Sequence, residues 1–269
     1  MNQQIKYFND ISTFERSPLQ SHFKVFIDLS HNRIGLDAQK LSEALSNCNN
    51  LSYLKLDLQD NKITDQGVSA LATCFEDYKN LQIFKLDLQS NKIGIQGAIY
   101  LGTGLEKCTN LIDLALNLFR NGIEKQGALG LCSSLANCIN LKILSLNFGQ
   151  NKIGSQGASG LCLNLAECNK LSALNISLGE NDIGPFGTSN LIMALSKAPK
   201  LLILKLHLYS NKIGDKGAQL IRASIKSLAK ISNLLLRLSD NQISHQEIKK
   251  ITQVVLKMKR IVKYEIIYI

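Results

Sequence analysis

Residues 81–111 read LQIFKLDLQSNKIGIQGAIYLGTGLEKCTNL. Phe84, Leu86 and Leu88 stand seven, five and three places before Asn91. Apolar residues at every second position describe a strand with one buried face. After Asn91 and Ile93 the spacing changes. Gly97, Ala98, Leu101, Leu105, Cys108 and Leu111 are separated mostly by steps of 3 and 4, the stripe of an amphipathic helix. One strand, one turn and one helix are therefore written in about thirty residues.

The same phrase fills most of the chain. Its asparagine recurs as Asn32, Asn61, Asn91, Asn121, Asn151, Asn181, Asn211 and Asn241, at intervals of 29 and then 30 six times. The first interval is short because one residue is missing after Ile34. Ile follows two places after every one of these asparagines. Gly94, Gly154, Gly184 and Gly214 mark helix starts, and Pro185 suits a first helical position, where a missing N–H costs nothing. Small residues at Ala98, Ala128, Ala158 and Ala218 let the helix approach the strand layer. Such a unit cannot bury its own apolar edge, whereas a stack of copies buries a continuous core. The fold class expected is an α/β solenoid. The asparagine is expected to be structural, its amide bonding backbone groups of the adjacent turn.

This pattern resembles the leucine-rich repeat family, in its ribonuclease-inhibitor-like class, over about residues 23–269. The resemblance implies a horseshoe with parallel strands on the concave face and helices on the convex face. Residues 1–22 lack the phrase and are read as an N-terminal capping segment. Its Ile5, Phe8, Ile11 and Phe14 step by 3 and suggest a short helix. Residues 23–269 hold eight repeats and the beginning of a ninth strand, in which Ile261, Tyr264, Ile266 and Tyr268 continue the period. An uncapped edge strand there would meet a partner by strand addition, dimerise, or continue into a longer protein. One departure from the family is the added apolar position seven before each asparagine, which suggests longer strands.

Composition narrows the function classes. The opening Met-Asn-Gln-Gln-Ile-Lys has no apolar run behind it, and no stretch approaches 18 apolar residues. An intracellular protein, cytoplasmic or associated with cilia or the cytoskeleton, is the expectation. Four of the seven cysteines (Cys48, Cys108, Cys138 and Cys168) share one helix-end column with apolar residues, so they are read as reduced core thiols. The net charge is +10. Arg33, Lys62, Lys92, Lys152 and Lys212 follow the asparagine, and Lys249, Lys250, Lys257, Lys259, Arg260 and Lys263 cluster late in the chain. No aromatic platform accompanies them, so nucleic acid is not the first partner expected.

No catalytic constellation is legible. His22, His31, His207 and His245 lie in different columns; there is no phosphate-binding Gly-Lys-Ser/Thr loop and no His-Glu-x-x-His. Neither a cofactor nor a metal is expected, and the chain is not read as an enzyme. The concave face is the better candidate. Four places before the asparagine the column runs Asp28, Asp57, Asp87, Asn117, Asn147, Ser177, His207, Arg237, from acidic to basic. Lys55 and Lys85 are expected to relieve repulsion between the aspartates. Two places before it, Phe119 and Tyr209 flank Gly149 and Gly179, which suggests a trough for a partner's side chain. Arg120 follows Phe119, and Leu235 lies beside Arg237. Tyr, Phe and Arg are enriched in interface cores. The function expected is a non-catalytic scaffold or adaptor that binds a protein through its concave face or its ends. The family resemblance also implies two alternatives: a structural subunit of a ciliary or cytoskeletal assembly, and a Ran-type GTPase activator.

Overall fold

The computed structural model describes residues 4–268. Ten parallel strands form one sheet in strict chain order. They are β1 (Lys6–Phe8), β2 (Lys24–Asp28), β3 (Tyr53–Asp57), β4 (Ile83–Asp87), β5 (Asp113–Asn117), β6 (Ile143–Asn147), β7 (Ala173–Ser177), β8 (Ile203–His207), β9 (Asn233–Arg237) and β10 (Lys263–Ile267). The register is unbroken: Val25, Leu54, Phe84, Leu114, Leu144, Leu174, Leu204, Leu234 and Tyr264 are successive partners. Backbone pairing runs on beyond the strand ends, where Leu58 N–H donates to Asp87 O and Asp60 N–H to Gln89 O.

The helices lie on the other side, each after its strand: α1 (Ile11–Glu15), α2 (Ala38–Ser46), α3 (Asp65–Cys74), α4 (Ile95–Leu105), α5 (Glu124–Ala136), α6 (Gly154–Ala166), α7 (Gly184–Leu195), α8 (Gly214–Ser224) and α9 (His245–Leu256). Ala98, Ala128, Ala158 and Ala218 are fully buried where helix meets strand layer. Paired strands repeat at about 4.8 Å, whereas packed helices need about 8–10 Å. The stack therefore bends toward its sheet, which becomes the concave face.

The capping segment differs from a simple helix. Lys6–Phe8 is extended and pairs with Val25–Ile27, so the sheet gains a strand ahead of the first repeat. The helix begins only at Ile11, after Asp10, whose side chain accepts from Thr13 N–H. The step of 3 from Ile5 to Phe14 crosses a strand-to-helix boundary rather than following one helical face. Phe14 is buried against Phe8, with ring centroids 5.1 Å apart, and closes that end of the core.

The repeated turn explains the asparagines. The residue before each is left-handed, from His31 (φ 61°) through Arg120 (φ 53°) to Asp240 (φ 56°). That conformation costs about 1–2 kcal/mol for a non-glycine residue. The side-chain hydrogen bonds that it allows offset the cost. Asn181 Oδ1 accepts from Asn151 N–H at 3.0 Å and Ile153 N–H at 3.1 Å, while its Nδ2 donates to Phe148 O and Gly179 O. Asn61, Asn151, Asn211 and Asn241 are buried in the same arrangement; Asn91 and Asn121 are partly buried in a related one. Asn32 is exposed, and its side chain makes only a local bond to Ser30 O. Three residues beyond the asparagine, Gly154, Gly184 and Gly214 are left-handed (φ 60–68°), with Glu124 in the same conformation at φ 55°.

Candidate functional site

Four side-chain rows project from the sheet between the buried ones. One of them holds the residues four places before each asparagine. Asp28, Asp57 and Asp87 are direct register partners, followed by Asn117 and Asn147. Each also has a local task. Asp57 Oδ1 accepts from Gln59 N–H at 3.2 Å, Asp87 from Gln89 at 2.9 Å, Asn117 from Phe119 at 3.3 Å and Asn147 from Gly149 at 3.1 Å. Short Asp and Asn side chains suit this because they reach a backbone N–H two residues on. Burial raises the Asp57 carboxyl above the usual carboxylate range, and its neighbours Asp87 and Asp28 push the same way. No group of His, Cys, Asp and Glu suited to a metal occurs among the described residues.

Lys55 acts on Asp57 in the expected direction, but weakly. Its Nζ sits 3.9 Å from the centroid of the Phe26 ring, which in turn meets Tyr7 edge-on at 5.1 Å. Its charge is held by an aromatic face, and it is the least of the influences acting on Asp57. Tyr7 was invisible as a site residue, since its strand lies outside the repeat.

The trough expected at Gly149 and Gly179 is occupied. A Cβ on Gly149 would stand 2.7 Å from Phe119 Cδ2, and one on Gly179 would stand 2.2 Å from Tyr209 Cζ. Phe119 approaches from just past β5 and Tyr209 from just past β8, so two rings cover two glycines just past the ends of β6 and β7. Both rings remain half-buried, each showing part of its surface to the concave side. Arg120 stands beyond the end of β5, in the turn, exposed and left-handed. It is at the lip of the face rather than among its strand rows.

The far end of the face is basic. His207 and Arg237 are register partners, with Lys205 and Leu235 beside them. The Arg237 guanidinium lies 5.5 Å from the Tyr209 ring centroid, and its Nε donates to Ser239 Oγ. His207 Nε2 is 3.2 Å from Asn175 Oδ1, and Asn175 Nδ2 reaches Ser145 Oγ at 3.1 Å. Burial lowers the His207 pKa first, and Arg237 and Lys205 lower it further, so the ring is neutral at pH 7. Leu235, Ile203, Lys205, Tyr264 and Glu265 line a cleft of about 340 Å³. Between the two ends the rows four and six places before the asparagine carry small and amide side chains: Ala115, Asn117, Ser145, Asn147, Asn175 and Ser177, while Asp113 and Ile143 stand one row further out.

Thus the nine named face residues do not converge. Asp28, Asp57 and Asp87 form one group, Phe119 a second with Arg120 at its lip, and His207, Tyr209, Leu235 and Arg237 a third. The third group is the densest.

A single-sheet stack of strand–turn–helix units, closed by an asparagine ladder, defines a parallel α/β solenoid. Several of its units are recognisable as leucine-rich repeats. The family's repeat model matches residues 48–72, 140–162 and 202–221. Among solved structures, a protein from Bacteroides fragilis is similar at 13% identity, with 96% of this chain and 69% of that one covered and a TM-score of 0.54. An internalin C2 from Listeria monocytogenes is 19% identical over 76% of this chain and 84% of that one, with a TM-score of 0.36. The first likeness concerns the fold alone, and the second is too loose to argue from. No curated protein matches the sequence significantly.

Proposed function

We propose that the protein is a non-catalytic binding scaffold that holds a protein partner against the concave sheet. The observation that carries this reading is the zoning of the face in a fixed register. In the row four places before the asparagine, aspartates lie at the β2–β4 end with Lys55 and Lys85 in the row beside them, uncharged side chains lie at β5–β7, and His207 and Arg237 stand with Tyr209 and Leu235 at the β8–β9 end. A rigid sheet presents such groups without an ordering cost at binding. Complementary charge then sets orientation and encounter rate. The partner favoured by this pattern carries an acidic patch for the β8–β9 end, where Lys205 and Arg237 stand. Tyr209 and Arg237 are of the residue types that anchor interfaces.

The test is a pull-down from native lysate with wild type beside a Lys205→Glu, Arg237→Glu variant. A partner retained by wild type and lost by the variant supports the reading. Identical partner sets with both proteins would remove the β8–β9 end from the site. The GTPase-activator alternative makes its own demand, accelerated GTP hydrolysis by a Ran-type GTPase. The scaffold reading expects an unchanged rate.

A further inference from the structure

The loops that join each helix to the next strand line up along one rim of the solenoid. In the first half of the molecule one column of that rim is Asn50, Asn80, Asn110 and Asn140, and three of the four hold it. Nineteen residues after the ladder asparagine (eighteen in the short first repeat), Asn50, Asn110 and Asn140 each donate to a main-chain oxygen of the preceding loop, those of Gln20, Lys79 and Thr109. The same column then becomes Lys170, Lys200, Lys230 and Arg260. Lys170 still reaches back, donating to Asn140 Oδ1. Lys200, Lys230 and Arg260 are exposed, and no ion pair holds any of them among the described residues.

Their surroundings reinforce the change. Lys197, Lys226, Lys257 and Lys259 are exposed on the same three loops, and Lys263 follows directly. Residues 196–202, 226–232 and 256–263 contain no acidic residue, whereas the rim's acids, Glu76, Asp77, Glu106 and Glu167, all lie in earlier repeats. A file of like charges one repeat apart opposes stacking and does nothing for the fold that Asn140 does not do better. Apolar tips stand among the cations: Leu202 is 46% exposed, Leu256 62% and Val262 86%. Ala229, Val254 and Met258 form an apolar floor in a cleft walled by Lys226, Lys257, Lys259 and Arg260. No aromatic side chain occurs on these three loops, so there is no platform for stacking bases.

We infer that this rim docks on an anionic lipid bilayer. Each cation near such a surface contributes about 1 kcal/mol, roughly a fivefold gain in partitioning, and the effect fades within a Debye length. The apolar tips would enter the headgroup boundary, as they do for interfacial segments that lie on a membrane without crossing it. Among the described residues no helix is long and apolar enough to cross one. Apart from Lys263, which begins β10, the rim cations lie on loops outside the concave sheet.

Vesicle flotation of the whole chain tests the inference. Wild type should float with phosphatidylcholine vesicles containing phosphatidylserine, and should stay behind with phosphatidylcholine alone or at about 1 M salt, where the Debye length falls to about 3 Å. A Lys230→Gln, Lys257→Gln, Lys259→Gln, Arg260→Gln variant should lose partitioning by more than about a hundredfold. Leu256→Ser with Val262→Ser should lose it several-fold, with all charge kept. Lys55→Gln, Lys85→Gln, Lys205→Gln and Lys212→Gln together remove as much charge elsewhere and should cost less than the rim variant. Protection of the buried thiols confirms that each variant is folded. Equal flotation with both lipids would overturn the inference. So would equal loss in the two charge variants, or retention by single-stranded RNA or an acidic peptide with no flotation.

Discussion

Asn181→Ala isolates the ladder at its most buried part. The substitution deprives Asn151 N–H and Ile153 N–H of their acceptor, since both donate to Asn181 Oδ1. The two carbonyls it serves fare better. Phe148 O keeps a bond from Asn151 Nδ2, and Gly179 O keeps one from Gln150 N–H. The cost therefore comes mainly from two orphaned donors in a dry turn, each about 1–3 kcal/mol. A loss of about 2–6 kcal/mol follows. Asn32→Ala is the control. That side chain is exposed and donates once, to Ser30 O, so its removal should cost less than about 1 kcal/mol. Equilibrium urea unfolding followed by far-UV circular dichroism measures both variants. Amide hydrogen exchange adds the local readout: Asn151 and Ile153 should lose protection in the Asn181 variant. Equal losses for the two variants, or unchanged exchange at Ile153, would refute the reasoning.

Three further outcomes are expected. Gly179→Ala should displace the Tyr209 ring, because its Cβ would fall within 2.2–2.5 Å of ring atoms. The cost, on the order of 1–3 kcal/mol as for overpacking, should shrink in a Tyr209→Ala background, and a melting comparison that finds additive effects would count against the ring-over-glycine packing. Asp57→Asn should raise stability at pH 7 by about half a kcal/mol, the scale of a like-charge neighbour pair, since Asn117 shows the amide fits the column. The Asp57 pKa is raised on folding, chiefly by burial. The native state therefore binds the proton more tightly than the unfolded state, and this group's contribution declines as pH rises through the window above the ordinary carboxylate value. The variant's advantage should thus narrow on acidification into that window, and urea midpoints across pH that show the opposite trend would contradict the account. Finally, burial pushes the thiols of Cys48, Cys74, Cys108 and Cys138 up to about 12 and Cys168 to about 11, and raises Cys132 and Cys162 too. All seven are free and buried. The native protein should resist maleimide labelling and then take seven labels on unfolding; rapid labelling of any one would show that its column opens.

The repeat was legible because one period controls everything in it. A strand of period two, an asparagine, and a helical stripe recur in step, so strand pairing and sheet order follow from one copy. Strand β1 was not legible, because it pairs with the stack without carrying the phrase. The face rows could be read from alternation alone, but not how their side chains dispose themselves. Phe119 and Tyr209 fold over Gly149 and Gly179, just past the ends of neighbouring strands, and that contact spans thirty residues. The same holds for Lys55, which relieves Asp57 only weakly and sits on Phe26. The aspartates themselves were read only as charge, although Asp57 and Asp87 also close the strand exits by accepting Gln59 and Gln89 N–H. The switch of one rim column from Asn to Lys was present in the sequence. It acquired meaning once the asparagines were seen bonding the previous loop.

The central claim is that the concave sheet recognises a protein partner. A photo-crosslinking residue at Leu235, on the concave face, tests it against one at Leu163, which is exposed on the convex helix α6. The account predicts a specific adduct from position 235, absent from position 163 and abolished by Arg237→Glu. An adduct formed only from position 163, or one from position 235 that survives Arg237→Glu, would contradict it.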